Sequence, residues 1–178
     1  MEEKIIINDL IALSEFRLED KSNLVLYLND PVIYLNTLTI PKNYSEADAD
    51  KWLEITQANF AKHGRLTNWA IRHREAGLIG GVGRMALTGM EGHRDEIGYW
   101  LAEPFRGEGI MTAVVGKLSE HLFSSTPLVR IEAHVYEYNP ASARLLEKAG
   151  FQREGLCRKF ALKDGQYIDA ILLAKIKA

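Results

Sequence analysis

The chain has 178 residues, 22 Lys and Arg against 24 Asp and Glu, and 47% apolar residues, which predicts one globular domain over 1–178. Its single cysteine, Cys157, excludes a disulfide framework. A net charge of -2, with basic residues scattered rather than clustered, argues against a nucleic-acid partner held by charge.

No apolar run reaches the ~18 residues a membrane span needs, so no membrane partner is expected. The opening Met-Glu-Glu-Lys lacks the basic-then-apolar order of a secretory signal, and the expected address is cytoplasmic.

Taken in order, Leu10–Leu18 alternates like a strand, and a short helix follows over about Glu19–Asn29 until Asp30-Pro31 stops it. Pro41–Tyr44 reads as loop, within a connection near residues 31–44. Ser45 with Asp48 resembles a capping box, and Ala49, Trp52, Leu53, Thr56 and Phe60 follow at helical spacing until Gly64. Apolar stretches Asn68–Arg72, Gly77–Leu87 and Glu96–Ala102 are joined by short turns, the second from Gly89, which predicts an antiparallel meander.

After Pro104 the period changes. Met111, Val114, Val115, Leu118 and Leu122 mark a helix face, and Leu128–Tyr138 reads as a strand, so strand, helix and strand form a crossover with parallel strands. A second such unit begins with Asn139 as cap, Pro140 at the first helical position and Leu145, Leu146 and Ala149 as the face. Strands over Phe151–Leu162 and Tyr167–Ile176 close the chain, turning at Lys163-Asp164-Gly165. The fold class is α/β (α+β), a mixed sheet covered by helices.

Between the strand ending at Ala102 and its helix lies Arg106-Gly107-Glu108-Gly109-Ile110-Met111. Unpaired amides at a helix start, together with the helix dipole, suit an anion such as pyrophosphate. The alternative is an ordinary Gly-rich turn. A P-loop is excluded because Ile110-Met111 stands where Lys-Ser/Thr is required. A dinucleotide fingerprint lacks its third small residue, since Thr112 stands there.

Five ordered blocks resemble the GNAT superfamily of N-acetyltransferases: Ile97–Leu101, Phe105–Gly109, Arg130–Ala133, Asn139–Ser142 and Glu147–Phe151. The branch most similar includes the ribosomal-protein-alanine N-acetyltransferases. The resemblance implies the acyl-CoA N-acyltransferase fold: a mainly antiparallel sheet with two splayed parallel strands, here Glu96–Ala102 and Leu128–Tyr138. It implies acetyl-CoA as cosubstrate, its pyrophosphate bound by Arg106, Gly107, Glu108, Gly109, Ile110 and Met111, with Met111 replacing the family's final small residue. The pantetheine arm would pair with main-chain groups near Trp100 and Leu101.

Acetyl transfer to an amine needs an unprotonated nucleophile, a polarised carbonyl and a proton for the thiolate. Glu96 lies where the family often places its base; the alternative is an exposed strand carboxylate. Where many members carry an acidic tyrosine this chain has Leu146. The branch's Asn-x-x-Ser pattern matches Asn139 and Ser142, which implies an amide contact from Asn139 and a proton or hydrogen bond from Ser142. Helix capping is the alternative. Tyr136 and Tyr138 are fallback acids. The five histidines show no metal-ligand spacing, so no metal is expected, and they read as surface or core residues.

Three functions stand: an acetyl-CoA-dependent N-acetyltransferase acting by direct transfer on a primary amine, either a protein N-terminus or a small amine; a non-catalytic acyl-CoA-binding module; and a nucleotide-dependent enzyme. The amine's pocket is expected from residues 31–44, Trp69 and the turn near Asp164. Pairing into a homodimer is open.

Overall fold

In the computed structural model, which describes residues 4–85 and 91–178, the elements are β1 (Ile5–Ile6), β2 (Ile11–Ser14), α1 (Lys21–Leu28), α2 (Pro31–Asn36), α3 (Glu46–His63), β3 (Asn68–His73), β4 (Gly77–Arg84) and β5 (Arg94–Leu101), followed by α4 (Ile110–Ser125), β6 (Arg130–Tyr136), α5 (Pro140–Lys148), β7 (Gln152–Lys163) and β8 (Gln166–Ile176). The strands hydrogen-bond in the order β1-β2-β3-β4-β5-β6-β8-β7. The β5–β6 ladder is parallel, whereas β1–β2, β2–β3, β3–β4, β6–β8 and β7–β8 are antiparallel. The chain divides into two compact units, Met1–Arg84 with Gly98–Ile110, and Met85–Ile97 with Met111–Ala178.

In the first unit, Phe16, Leu24, Leu28, Ile33, Tyr44, Ala49, Leu53, Ala70 and Leu78 form one buried cluster beneath α1 and α3. The Ser45–Asp48 capping box starts α3 and Gly64, at φ 65, ends it, both as predicted. The predicted connection over residues 31–44 contains α2: the Asp30-Pro31 step that stops α1 also starts the next helix, with Asp30 accepting from the Val32 N–H. The predicted strand Leu10–Leu18 ends at Ser14, because Arg72 draws the next residues into a turn. Its guanidinium donates to both carboxylate oxygens of Asp20, to Ser14 Oγ and to the Glu15 carbonyl. The two-residue β1 has too little pattern to be read in the sequence. The end of the predicted strand Gly77–Leu87 and the start of the turn at Gly89 lie outside the described residues.

In the second unit, α4 buries Met111, Val114, Val115, Leu118 and Leu122, the predicted face, and β6 buries Ile131, Ala133 and Val135. The first predicted crossover is present, with β5 and β6 parallel from Arg94↔Arg130 to Glu96↔Glu132. The second does not place its strands side by side, since β8 lies between β6 and β7. A tight hairpin lets β8 fold back along β7 before pairing with β6. Asp164 (φ 50) and Gly165 (φ 75) supply the positive dihedrals its two-residue turn needs. In β7, Cys157 pairs with Ala170 and Ala161 with Ile168, so Arg158, Lys159 and Phe160 bulge opposite Asp169. The Lys159 N–H, at φ 54, donates to Asp169 Oδ1 at 2.7 Å.

Candidate active site

The predicted site residues fall into two sets, one within each unit. In the first, the loop ahead of α4 carries Gly107 at φ 83 and Gly109 at φ 78, a left-handed backbone that side chains resist. A Cβ built at either position meets nothing within 4 Å, so the main chain is approachable there. The loop opens a 16-residue helix whose first amides have no intrahelical acceptor. Glu108 is exposed, Ile110 half-buried, and Met111 turns inward at 8% exposure. The methionine at the family's small-residue position therefore packs beneath the helix start.

Arg106 is committed within its own unit. Its Nε donates to the Leu101 carbonyl at 2.9 Å and its Nη2 to Asp30 Oδ2 at 2.5 Å. Its guanidinium shapes the loop, and Leu101's carbonyl already accepts this bond. The Ala102 N–H donates to Ile79 of β4, and alternation turns the main chain of Trp100 the same way. Its half-buried indole packs on the α1–α3 cluster, so close that a Cβ at Gly81 would lie 2.7 Å from Nε1. The main-chain groups of Tyr99 and Leu101 face away from β4, and this parity was readable only once the strand's partner was known. Trp69, expected in the acceptor pocket, is 1% exposed and belongs to the core.

In the second unit, the pairing Glu96↔Glu132 places two carboxylates on one face of neighbouring strands. Their surroundings differ. Glu132 is buried and accepts from Arg94 Nη1 at 3.1 Å and Arg130 Nε at 2.5 Å. Burial favours its neutral form, but the bonds from Arg130 and Arg94 outweigh this and hold the carboxyl below its ordinary value. Glu96 has no such arginine among its described contacts; its Oε1 lies 3.1 Å from His134 Nδ1. The sequence reading left His134 among the surface or core histidines, and its i, i+2 placement after Glu132 gave no signal.

Asn139 is the N-cap of α5, its side chain accepting from the Ser142 N–H at 3.2 Å. Both residues are half-buried. Tyr136 is buried, its ring 5.6 Å from that of Tyr138. Burial pushes both phenols up, with the neighbouring Tyr138 adding to the rise at Tyr136, so both hold their protons tightly. Among the described residues no group of three or more His, Cys, Asp or Glu side chains converges as a metal site. No helix among them is long and apolar enough to cross a membrane.

The acetyltransferase (GNAT) domain family matches residues 11–152, a span that includes β5, the glycine loop, α4, β6 and α5. The chain belongs to the GNAT acetyltransferase family. It is 29% identical to an uncharacterized N-acetyltransferase, p20, of Bacillus licheniformis over 94% of this chain and 93% of that one. It is 35% identical to the uncharacterized N-acetyltransferase YoaA of Bacillus subtilis over 68% and 69% of the two chains. Its fold matches RimL, the ribosomal L7/L12 alpha-N-protein acetyltransferase, in complex with coenzyme A, with TM-score 0.83, 20% identity and 98% of each chain covered.

Proposed function

We propose that residues 1–178 act as one acetyl-CoA-dependent N-acetyltransferase domain that transfers acetyl directly to a primary amine, a protein N-terminus or a small amine, in a ternary complex. The observation that carries this reading is the Gly107–Gly109 loop. Two left-handed glycines with empty Cβ directions open a long helix, and that arrangement fits a diphosphate. Main-chain N–H groups over Gly107–Met111 hold it, while Arg106 keeps the loop in shape through Leu101 and Asp30.

Acetyl-CoA supplies the activated acyl group. Glu96 takes the proton from the incoming ammonium, because it is the carboxylate of its face not sealed by arginines. Ser142 donates toward the departing sulfur, and Asn139, besides capping α5, orients that turn. RimL's action as an alpha-N-protein acetyltransferase favours N-termini among the acceptors.

Calorimetry with acetyl-CoA and assay of coenzyme A release with peptides beginning Ala, Ser or Met and with spermidine test the reading. Wild-type protein is expected to bind acetyl-CoA and to release coenzyme A with at least one amine. Gly109→Asp, which sets a carboxylate beside the phosphates, is expected to abolish binding. Undiminished binding by that variant overturns the phosphate assignment. Tight binding with no amine-stimulated release overturns catalysis and leaves an acyl-CoA-binding module.

A further inference from the structure

The mechanism leaves the buried Nδ1 of His134 unused. His134 follows Glu132 by two residues on β6, and the strand's alternation puts it on the same face as Glu96 and Glu132. Its side chain is 13% exposed and that of Glu96 20%. Nδ1 lies 3.1 Å from Glu96 Oε1, yet no acceptor among the described residues lies in line with its N–H direction. A buried ring nitrogen without an aligned partner is costly unless another state of the protein completes its bond. Catalytic hydrogen bonds in unliganded enzymes are often misaligned in this way and tighten when substrate binds.

The imidazole is also clamped. The ring of Phe160 stacks on it with centroids 4.2 Å apart and planes 15° from parallel. Phe160 sits in the β7 bulge, which Asp169 stabilises by accepting from the Lys159 N–H. Phe160 is 42% exposed, so burial in a core does not account for its placement. Stacking restrains the imidazole and keeps Nδ1 close to Glu96 Oε1.

We propose that His134 is the positioning residue for Glu96, and that Phe160 positions His134 in turn. The inference rests on Glu96 being the base. With a proton on Nδ1, the imidazole donates to Glu96 Oε1 and fixes the carboxylate, leaving Oε2 to take the ammonium proton. Glu132 cannot substitute for Glu96, since Arg94 and Arg130 already occupy it.

The test measures kcat and KM with whichever of the four amines gives the fastest wild-type rate. His134→Ala is expected to lower kcat by about 10-fold to 100-fold, the range typical of outer-shell partners, with KM for acetyl-CoA unchanged. His134→Asn, whose amide nitrogen falls near the place of Nδ1, is expected to recover most of the rate. His134→Gln, which reaches instead toward the place of Nε2, is not. Phe160→Ala is expected to lower kcat severalfold and Phe160→Tyr to restore it. In Glu96→Gln, removal of His134 is expected to add no further loss.

Equal losses in the Asn and Gln variants, or an additive loss in the double variant, overturn the inference. Ring-nitrogen NMR of His134, compared between the wild-type protein and Glu96→Gln, gives a readout independent of turnover and of His134 variants that fail to fold. The resonance is expected to move, and an unmoved resonance overturns the contact. If Glu96→Gln retains full turnover, the base assignment falls and takes this inference with it. If that variant is inactive while His134→Ala is fully active, only the positioning role falls.

Discussion

Asn139 and Ser142 carry one observed role, helix capping, and one proposed role, proton donation. The amide oxygen of Asn139 accepts from the Ser142 N–H, which is helix capping. That bond uses the Ser142 main-chain N–H and not its hydroxyl. Asn139→Ala is expected to cost about 1 kcal/mol of stability, read from the thermal midpoint, because a cap is lost. Ser142→Ala keeps the backbone donor, so it is expected to leave stability unchanged while lowering kcat more than it raises KM for acetyl-CoA. Unchanged turnover would retract the acid role and leave the pair as a cap alone. The same separation holds at Arg106, which the family pattern assigns to the phosphate and whose guanidinium here ties Leu101 to Asp30.

Elements of the first unit are pinned by a buried charge cluster as much as by apolar packing. Asp20 is 3% exposed and grips Arg72 through both oxygens at 2.7 and 2.8 Å, while Oδ2 also accepts from the Arg17 N–H. This clamp stops β2 at Ser14 and sets the start of α1, which is why the alternation running to Leu18 overstated the strand. Removing one partner strands the other's charge in a dry place. Asp20→Ala is therefore expected to cost about 3 kcal/mol, measured as a lower urea midpoint with unchanged slope. A loss below 1 kcal/mol would mean that the turn is held by its apolar neighbours instead. In the second unit the β7 bulge does comparable work, since it brings Phe160 onto a histidine two strands away.

Across the whole molecule, near-neutral composition hides a pH lever at Glu132. Glu132 is 5% exposed, and Arg130 and Arg94 hold its carboxyl below the ordinary value of 4.5 against the opposing effect of burial. A carboxyl depressed in the folded state contributes stability that is complete above its unfolded value and is lost as pH falls through the lower folded one. Melting temperature is thus expected to fall as pH drops below about 4.5, and Glu132→Gln is expected to flatten that slope while starting from a lower plateau. Equal slopes in the two proteins would remove Glu132 from the account of acid unfolding.

Much of the fold was legible in the chain because its signals are local. The Ser45–Asp48 box, the cap at Gly64, the apolar face of α4, the Asn139-Pro140 start and the Asp164-Gly165 turn all depend on residues within a few positions of one another. The glycine loop is legible for the same reason: φ at Gly107 and Gly109 is a matter of adjacent atoms. Contacts across distance are another matter. Arg106 meets Asp30 from 76 residues away, and Arg94 meets Glu132 from 38. The insertion of β8 between β6 and β7, the main-chain direction of Trp100 and the pairing of Glu96 with His134 depend on which strands become neighbours. Composition and periodicity state what each segment prefers, whereas partner choice is settled by the free energy of the assembled sheet. For this chain, sequence alone determined most of the elements and the glycine loop; only the tertiary structure decided which carboxylate was sealed by arginine and which was left beside an imidazole.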